Sequence, residues 1–125
     1  MTPRGEPIRR LSAVWPLIWP RALGRRYLDV GCGTGKYIAA VAALGGVWHG
    51  VDPSRQMLAA ARAKAPCLAW REGSAEALPF DAAVFDGVLC MLSIRHFMDL
   101  PVAFAEIGRV LRPGGRAAIF TATPE

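Results

Sequence analysis

The stretch Tyr27 to Tyr37, YLDVGCGTGKY, restricts the folds open to this chain more than any other part of it. Tyr27, Leu28 and Val30 around Asp29 predict a short buried strand, Gly31, Gly33 and Gly35 predict a tight loop, and a helical pattern starts near Thr34. Strand, glycine loop and helix in that order is how α/β folds hold a nucleoside cofactor. Glycine has no Cβ and takes positive φ, so three glycines in five residues point to a ligand lying against the main chain. The first amides of the helix have no partner within it and carry partial positive charge, which favours an anionic group such as a carboxylate or phosphate. Taken alone, the pattern also fits an ordinary turn between a strand and a helix.

The following residues narrow the choice. Tyr37, Ile38, Val41, Ala42 and Leu44 give an apolar helix face that Gly45 and Gly46 end. Val47 to Val51 then predict a second strand that terminates at Asp52. Asp52 lies 21 positions after Gly31, where an acidic side chain sits at the carboxyl end of the second strand and can accept hydrogen bonds from both hydroxyls of a ribose. His49, inside that strand, reads as a structural side chain. Pro53 and Ser54 open a helix with Met57, Leu58, Ala61 and Ala65 at core spacing, closed by Pro66. Cys67 to Trp70 predict a third strand and residues 71–80 a loop. Phe85 to Leu92, nearly all apolar, predict a fourth strand covered on both faces. A turn with Arg95, His96 and Phe97 follows, then a helix from Asp99 and Pro101 with Ala103, Phe104, Ile107 and Leu111 inward. Arg112, Pro113, Gly114 and Gly115 stop it, and Ala117 to Phe120 predict a fifth strand.

With 125 residues the chain has room for one core and no separate substrate domain, and it has no run of 18 apolar residues to span a bilayer. Its net charge of +5 belongs to residues 1–26, where Arg4, Arg9, Arg10, Arg21, Arg25 and Arg26 face Glu6 alone. Residues 1–26 are thus expected as a basic leader, with Trp15 and Trp19 packed against the side of a domain spanning 27–125. The balanced charge of that domain argues against nucleic acid as a partner. Cys32, Cys67 and Cys90 are odd in number, far apart and without a histidine cluster, so no metal is expected. They read as reduced thiols of a cytoplasmic protein, Cys67 and Cys90 as small buried hydrophobes within strands.

Five landmarks stand in one order: LDVGCGTG, GVDPSRQML, EGSAEALPF, FDGVLCMLSIRHF and EIGRVLRPGG. Together, over residues 27–120, they resemble the class I S-adenosylmethionine-dependent methyltransferases, in the small-molecule group that includes the ubiquinone and menaquinone methyltransferases. The glycine spacing agrees, because a dinucleotide fingerprint would place its third glycine where this chain has Lys36. The resemblance implies a Rossmann-like three-layer α/β sandwich, with five parallel strands in the order 3-2-1-4-5. It also implies S-adenosyl-L-methionine as cofactor. Asp29 and the backbone of Gly31, Cys32 and Gly33 would hold its amino-acid end, with Gly35 completing the loop. Asp52, followed by Pro53, would hold the ribose, Met57 would pack on the adenine, and Ser74 and Ala75 would meet its edge. Cys90 and Met91 would line the methionine arm through their main chain. Many members carry Asp where this chain has Ser74, so one adenine contact is expected to be neutral and about tenfold weaker in affinity.

Methyl transfer from a sulfonium is an in-line displacement with a good leaving group, so orientation and exclusion of water are the protein's main tasks and no metal or triad is needed. Where the acceptor must lose a proton, His96 is the titratable base near the end of the fourth strand; capping or packing beside Phe97 is its other role. Relatives of this type continue past the fifth strand into a hairpin, so the chain is expected to be a fragment, a form whose strand edge a second copy or another subunit covers, or a short form stable by itself. The expected activity is therefore methylation of a small-molecule acceptor. A noncatalytic cofactor-binding or interaction domain and an NAD(P)-binding oxidoreductase fragment are the alternatives.

Overall fold

A computed structural model describes residues 24–43, 45–91 and 93–121. The leader's tryptophans, Leu44 and Leu92 lie outside the described residues. The elements are β1 (Arg26–Val30), α1 (Lys36–Ala42), β2 (Val47–Asp52), α2 (Arg55–Lys64), β3 (Ala69–Glu72), β4 (Phe85–Met91), a 3-10 turn (Ile94–His96), α3 (Leu100–Val110) and β5 (Leu111–Phe120). All neighbouring strands pair in parallel, in the order β3-β2-β1-β4-β5, as the resemblance implied.

Strand alternation sorts the core into two layers. Tyr27, Trp48, Leu89 and Met91 share one face of the sheet with Ile38 and Val41 of α1 and Leu58 and Ala61 of α2. Leu28, Val30, Val51, Val88 and Cys90 share the other with Ala103, Ile107 and Val110 of α3. Helix starts follow local chemistry. Ser54 accepts from the Met57 N–H at 3.2 Å to begin α2, and Asp99 accepts from the Val102 N–H at 3.2 Å to begin α3 with Pro101 in its first turn.

Five expectations shift. Phe104 was placed inward on α3, but it is 41% exposed while Ala103 and Ile107 are buried. Met57 was placed at core spacing, but it is 46% exposed while Leu58 and Ala61 are buried. The third strand begins at Ala69, two residues late, and takes in Arg71 and Glu72. Trp70 sets that register: its ring fills the space above Gly35 and Gly50, where a Cβ would lie within 2.5 and 2.6 Å of it, and its indole N–H donates to the Ala65 carbonyl at 2.9 Å. Cys67 is consequently exposed in the turn before the strand and not buried within it. At the other edge, β5 begins at Leu111, so Leu111 is no longer part of the helix, and the Arg112–Gly115 stop lies within a strand that slips register against β4 between Phe85 and Gly87.

Asp86 joins three strands. Its carboxylate accepts the Arg26 N–H at 2.8 Å and meets the guanidinium groups of Arg25 and Arg112 at 3.4 and 3.2 Å. Burial pushes this carboxyl up, but the Arg26 amide and the two arginines outweigh it and hold the group below its ordinary value. A lowered folded-state pKa gives stability that is present above the unfolded value and lost as the pH falls through the folded one. Asp86→Asn should therefore cost about 1 to 2 kcal/mol in urea unfolding at neutral pH, kept small by solvent screening, and the gap to the parent should narrow as the pH is taken below the ordinary carboxylate range. A gap that is equal at neutral and acidic pH would remove Asp86 as a charged tie.

Candidate functional site

The chain runs from β1 outward to β3 and then crosses back to β4, so the order of the strands reverses between β1 and β4. In open α/β sheets, ligands bind outside the carboxyl ends of the strands at such a point. The loop after β1 turns there with Gly31, Gly33 and Gly35 at φ values of 74°, 56° and 77°. The three glycines have different reasons. A Cβ on Gly31 would meet Ser93 at 2.6 Å and one on Gly35 would meet the Trp70 ring at 2.5 Å, whereas one on Gly33 would meet nothing within 4 Å. Only Gly33 thus turns its bare Cα toward open space, and the other two are small because the protein packs on them.

The loop amides are also spent within the protein. The Gly31 and Cys32 N–H groups donate to the Val51 carbonyl at 2.8 and 3.0 Å, and that of Gly35 donates to the Cys32 carbonyl at 2.9 Å. The Gly33 N–H donates to Asp52 Oδ2 at 2.9 Å, and the Ser54 N–H to its Oδ1 at 2.8 Å. The bonds from Gly31, Cys32 and Gly33 fasten the end of β1 to the end of β2, while those of Gly35 and Ser54 brace the turns on either side. They also differ from the expected anion cradle, since four of the loop's donors already have acceptors and α1 is only seven residues long.

Around this joint the other candidate residues gather. The Gly73 N–H donates to the Asp52 carbonyl at 3.1 Å, which sets Ser74 and Ala75 beside the second strand's tip. Cys90 and Met91 end β4 just past Leu89, the partner of Asp29, and both are buried. Pro53 and Met57 are exposed at the start of α2, on the rim. His96 is exposed on the 3-10 turn, its N–H donating to the Ser93 carbonyl. Sequence reading missed two residues here. Ser93 is buried and its hydroxyl donates to the Val30 carbonyl at 2.8 Å. Glu76 accepts the Met98 and Asp99 N–H groups at 3.0 and 3.3 Å, tying the loop after β3 to the turn after β4. Each contact joins distant residues, so no local spacing signals it.

Electrostatically the site is acidic. Asp29 is 2% exposed, and its Oδ1 is buried with no hydrogen-bond partner among the described residues. Burial, and next the charge of Asp52, raise its pKa to about 8. The same two influences act on the thiols: burial and then Asp29 push Cys90 up to about 12, and burial, Asp29 and Asp52 raise Cys32 further. Both therefore stay protonated, and neither is an activated nucleophile.

An orphaned, buried carboxylate beside an open glycine fits a ligand bearing a cationic amine, and S-adenosylmethionine is such a ligand. Known proteins point to the same cofactor. A family model described as a methyltransferase domain matches residues 28–119. The chain belongs to the class I S-adenosylmethionine-dependent methyltransferases. It is 43% identical over 95 residues to a demethylmenaquinone methyltransferase of Chlorobaculum tepidum, covering 75% of this chain and 39% of that protein. It is 39% identical over 108 residues to an O-methyltransferase of Penicillium expansum, covering 78% and 38%. Among solved structures, the YcgJ protein of Bacillus subtilis superposes with a TM-score of 0.82 at 28% identity, over 89% of this chain and 50% of that one. The methyltransferase chain thus spans at most half the length of these relatives.

The unpaired Asp29 has a measurable cost. A carboxyl whose pKa is raised on folding holds its proton in the native state at pH values where the unfolded chain has released it, so stability falls as the pH rises from about 4 to about 8. Asp29→Asn removes that loss. Thermal melts of the ligand-free chain should show the variant gaining on the parent as the pH is raised across this window, with little difference at its acidic end. A variant that is less stable than the parent at the alkaline end would show that Asp29 is paired and not orphaned.

Proposed function

We propose that this chain binds S-adenosyl-L-methionine in the crevice at the ends of β1, β2 and β4 and transfers its methyl group to a small-molecule acceptor. The observation that carries the reading is the acidic pair at the strand tips: Asp52 already shaped by two backbone amides, and Asp29 buried beside it with an oxygen to spare. In this reading Asp29 and the carbonyl side of the Gly31–Gly33 loop receive the ammonium of the methionine portion. Asp52 has lone pairs left after its two amides and takes the ribose hydroxyls. Met57, exposed at the start of α2, lies against the adenine, with Ser74 and Ala75 at its edge and the Cys90–Met91 main chain along the methionine arm. The bound cofactor supplies an electrophilic methyl group on a sulfonium sulfur.

The protein's part is then orientation and exclusion of water, which together can supply roughly 7 to 11 kcal/mol of the barrier. Ser93 and Glu76 assist by fixing the turn after β4, which stands over Gly31. Where an acceptor hydroxyl must lose its proton, His96 on that turn is the base we assign. Relatives named as acting on a demethylated quinone or as O-methyltransferases support a small acceptor and leave its identity open.

Calorimetric titration with S-adenosylmethionine and, separately, with NADH tests the cofactor class: binding of NADH alone, or of neither, would sink the reading. Asp52→Ala should weaken S-adenosylmethionine by about 1.5 kcal/mol or more, roughly tenfold, as expected for a hydrogen bond to a charged group. A melting curve for the variant separates this loss from unfolding of the loop that Asp52 holds, and an unchanged affinity would take Asp52 out of the site.

A further inference from the structure

Between β3 and β4 the chain crosses from the edge of the sheet to its middle through residues 73–84, with no helix on the way. On that face β2 and β3 are covered by a loop, and a cavity of about 800 Å³ lies beneath it, with Arg26, His49, Arg71, Phe80, Asp81 and Phe85 in its lining. Arg26 and Phe85 are the first residues of β1 and β4, and His49 precedes Asp52 by three residues, about 10 Å along β2. The cavity therefore lies toward the amino ends of β1 and β4, with Arg71 reaching it from β3 at the register of Val51, and none of the residues assigned to the nucleoside crevice lines it.

Its chemistry is consistent. His49, Phe80 and Phe85 meet edge to face, with ring centroids 5.0 to 6.1 Å apart, and form an aromatic wall. That wall is held from behind, because Arg109 donates to the carbonyls of Phe80 and Leu78 at 2.8 and 3.0 Å. The Arg71 guanidinium stands 5.4 Å over the Phe80 ring, and neither it nor the Arg26 side chain has an ion pair among the described residues. Two guanidinium groups outnumber the carboxylate of Asp81. His49 Nδ1 is buried with no partner among the described residues, in a ring whose pKa burial lowers first and the charge of Arg26 second. A neutral imidazole protonated on that nitrogen offers one donor.

We propose that this cavity is a second ligand site, for a small aromatic carboxylate, separate from the nucleoside crevice. The aromatic body lies against Phe80 and Phe85, and the carboxylate meets Arg71 and Arg26 with the His49 ring beside them. Arginine presents paired donors that match a carboxylate, so the negative charge is what the site selects. Calorimetric titration of the full chain with 2-naphthoate, and with 2-naphthamide as a neutral analogue of the same shape, tests the assignment. Naphthoate should saturate one site, the amide should bind roughly tenfold more weakly, and Arg71→Ala should lose a similar factor for naphthoate. Arg71 is exposed, and an unchanged melting curve certifies the variant's fold. Amide NMR shifts on naphthoate addition should centre on Ala69 and Phe85. The proposal is overturned by the absence of saturable binding in the millimolar range, by equal affinity for the two probes or for the two proteins, or by shifts centred instead on Gly33 and Ser54.

Discussion

The Val51 carbonyl accepts two amides, from Gly31 and Cys32, and the next residue's carboxylate accepts a third, from Gly33. With these bonds the chain reverses over the end of the sheet, an abrupt turn that three left-handed glycines permit. Any one of the amides left buried and unpaired would cost about 1 to 3 kcal/mol, so the joint holds as a unit. Everything else in the crevice is referred to it. α1 starts from the loop, Ser93 packs on Gly31, Trp70 packs on Gly35, and the chain beyond β3 returns to the Asp52 carbonyl through Gly73.

The joint also decides what kind of ligand the crevice suits. Amides that donate inward cannot cradle an anion, and the two carboxylates at the strand tips are treated in opposite ways. Asp52 is supplied with two donors from the main chain, while Asp29 is enclosed with none for its Oδ1 and holds its proton to about pH 8. Such an arrangement is unfavourable by itself and becomes favourable when a cation is brought to it. The glycine loop of a methyltransferase, in this chain, works less as an anion nest than as a hinge that sets a buried carboxylate at the edge of a cleft.

Much of the fold was legible because it rests on local patterns. The alternation around Asp29, the apolar run of β4 and the caps Ser54 and Asp99 each involve neighbouring residues, and the landmarks' order carried the topology. The departures come from distant contacts. Nothing near Cys67 says that the strand waits until Ala69; the register is set by Trp70 lying across Gly35 and Gly50. The periodicity around Met57 shows a helix but not which way its face turns, and the chosen face buries Leu58. Likewise the glycines announced a tight loop, yet whether each one faces ligand, Ser93 or Trp70 depends on residues from 35 to 62 positions away in sequence.

One loop, residues 73–84, is shared by two places that have no lining residue in common. Its first half reaches Asp52 through Gly73 and the turn after β4 through Glu76. Its second half is clamped to α3, where the Leu78 N–H donates to Glu106 at 2.8 Å and Arg109 takes the Leu78 and Phe80 carbonyls while paired with Glu106. A helix here would have filled the space over β2 and β3 with its own side chains. A loop has too few side chains to do so and must borrow its rigidity from α3. The Glu106–Arg109 pair is therefore worth more to the shape of the molecule than its exposed position indicates, because it holds the loop beside the Asp52 tip and the aromatic wall of the cavity through the same short length of chain.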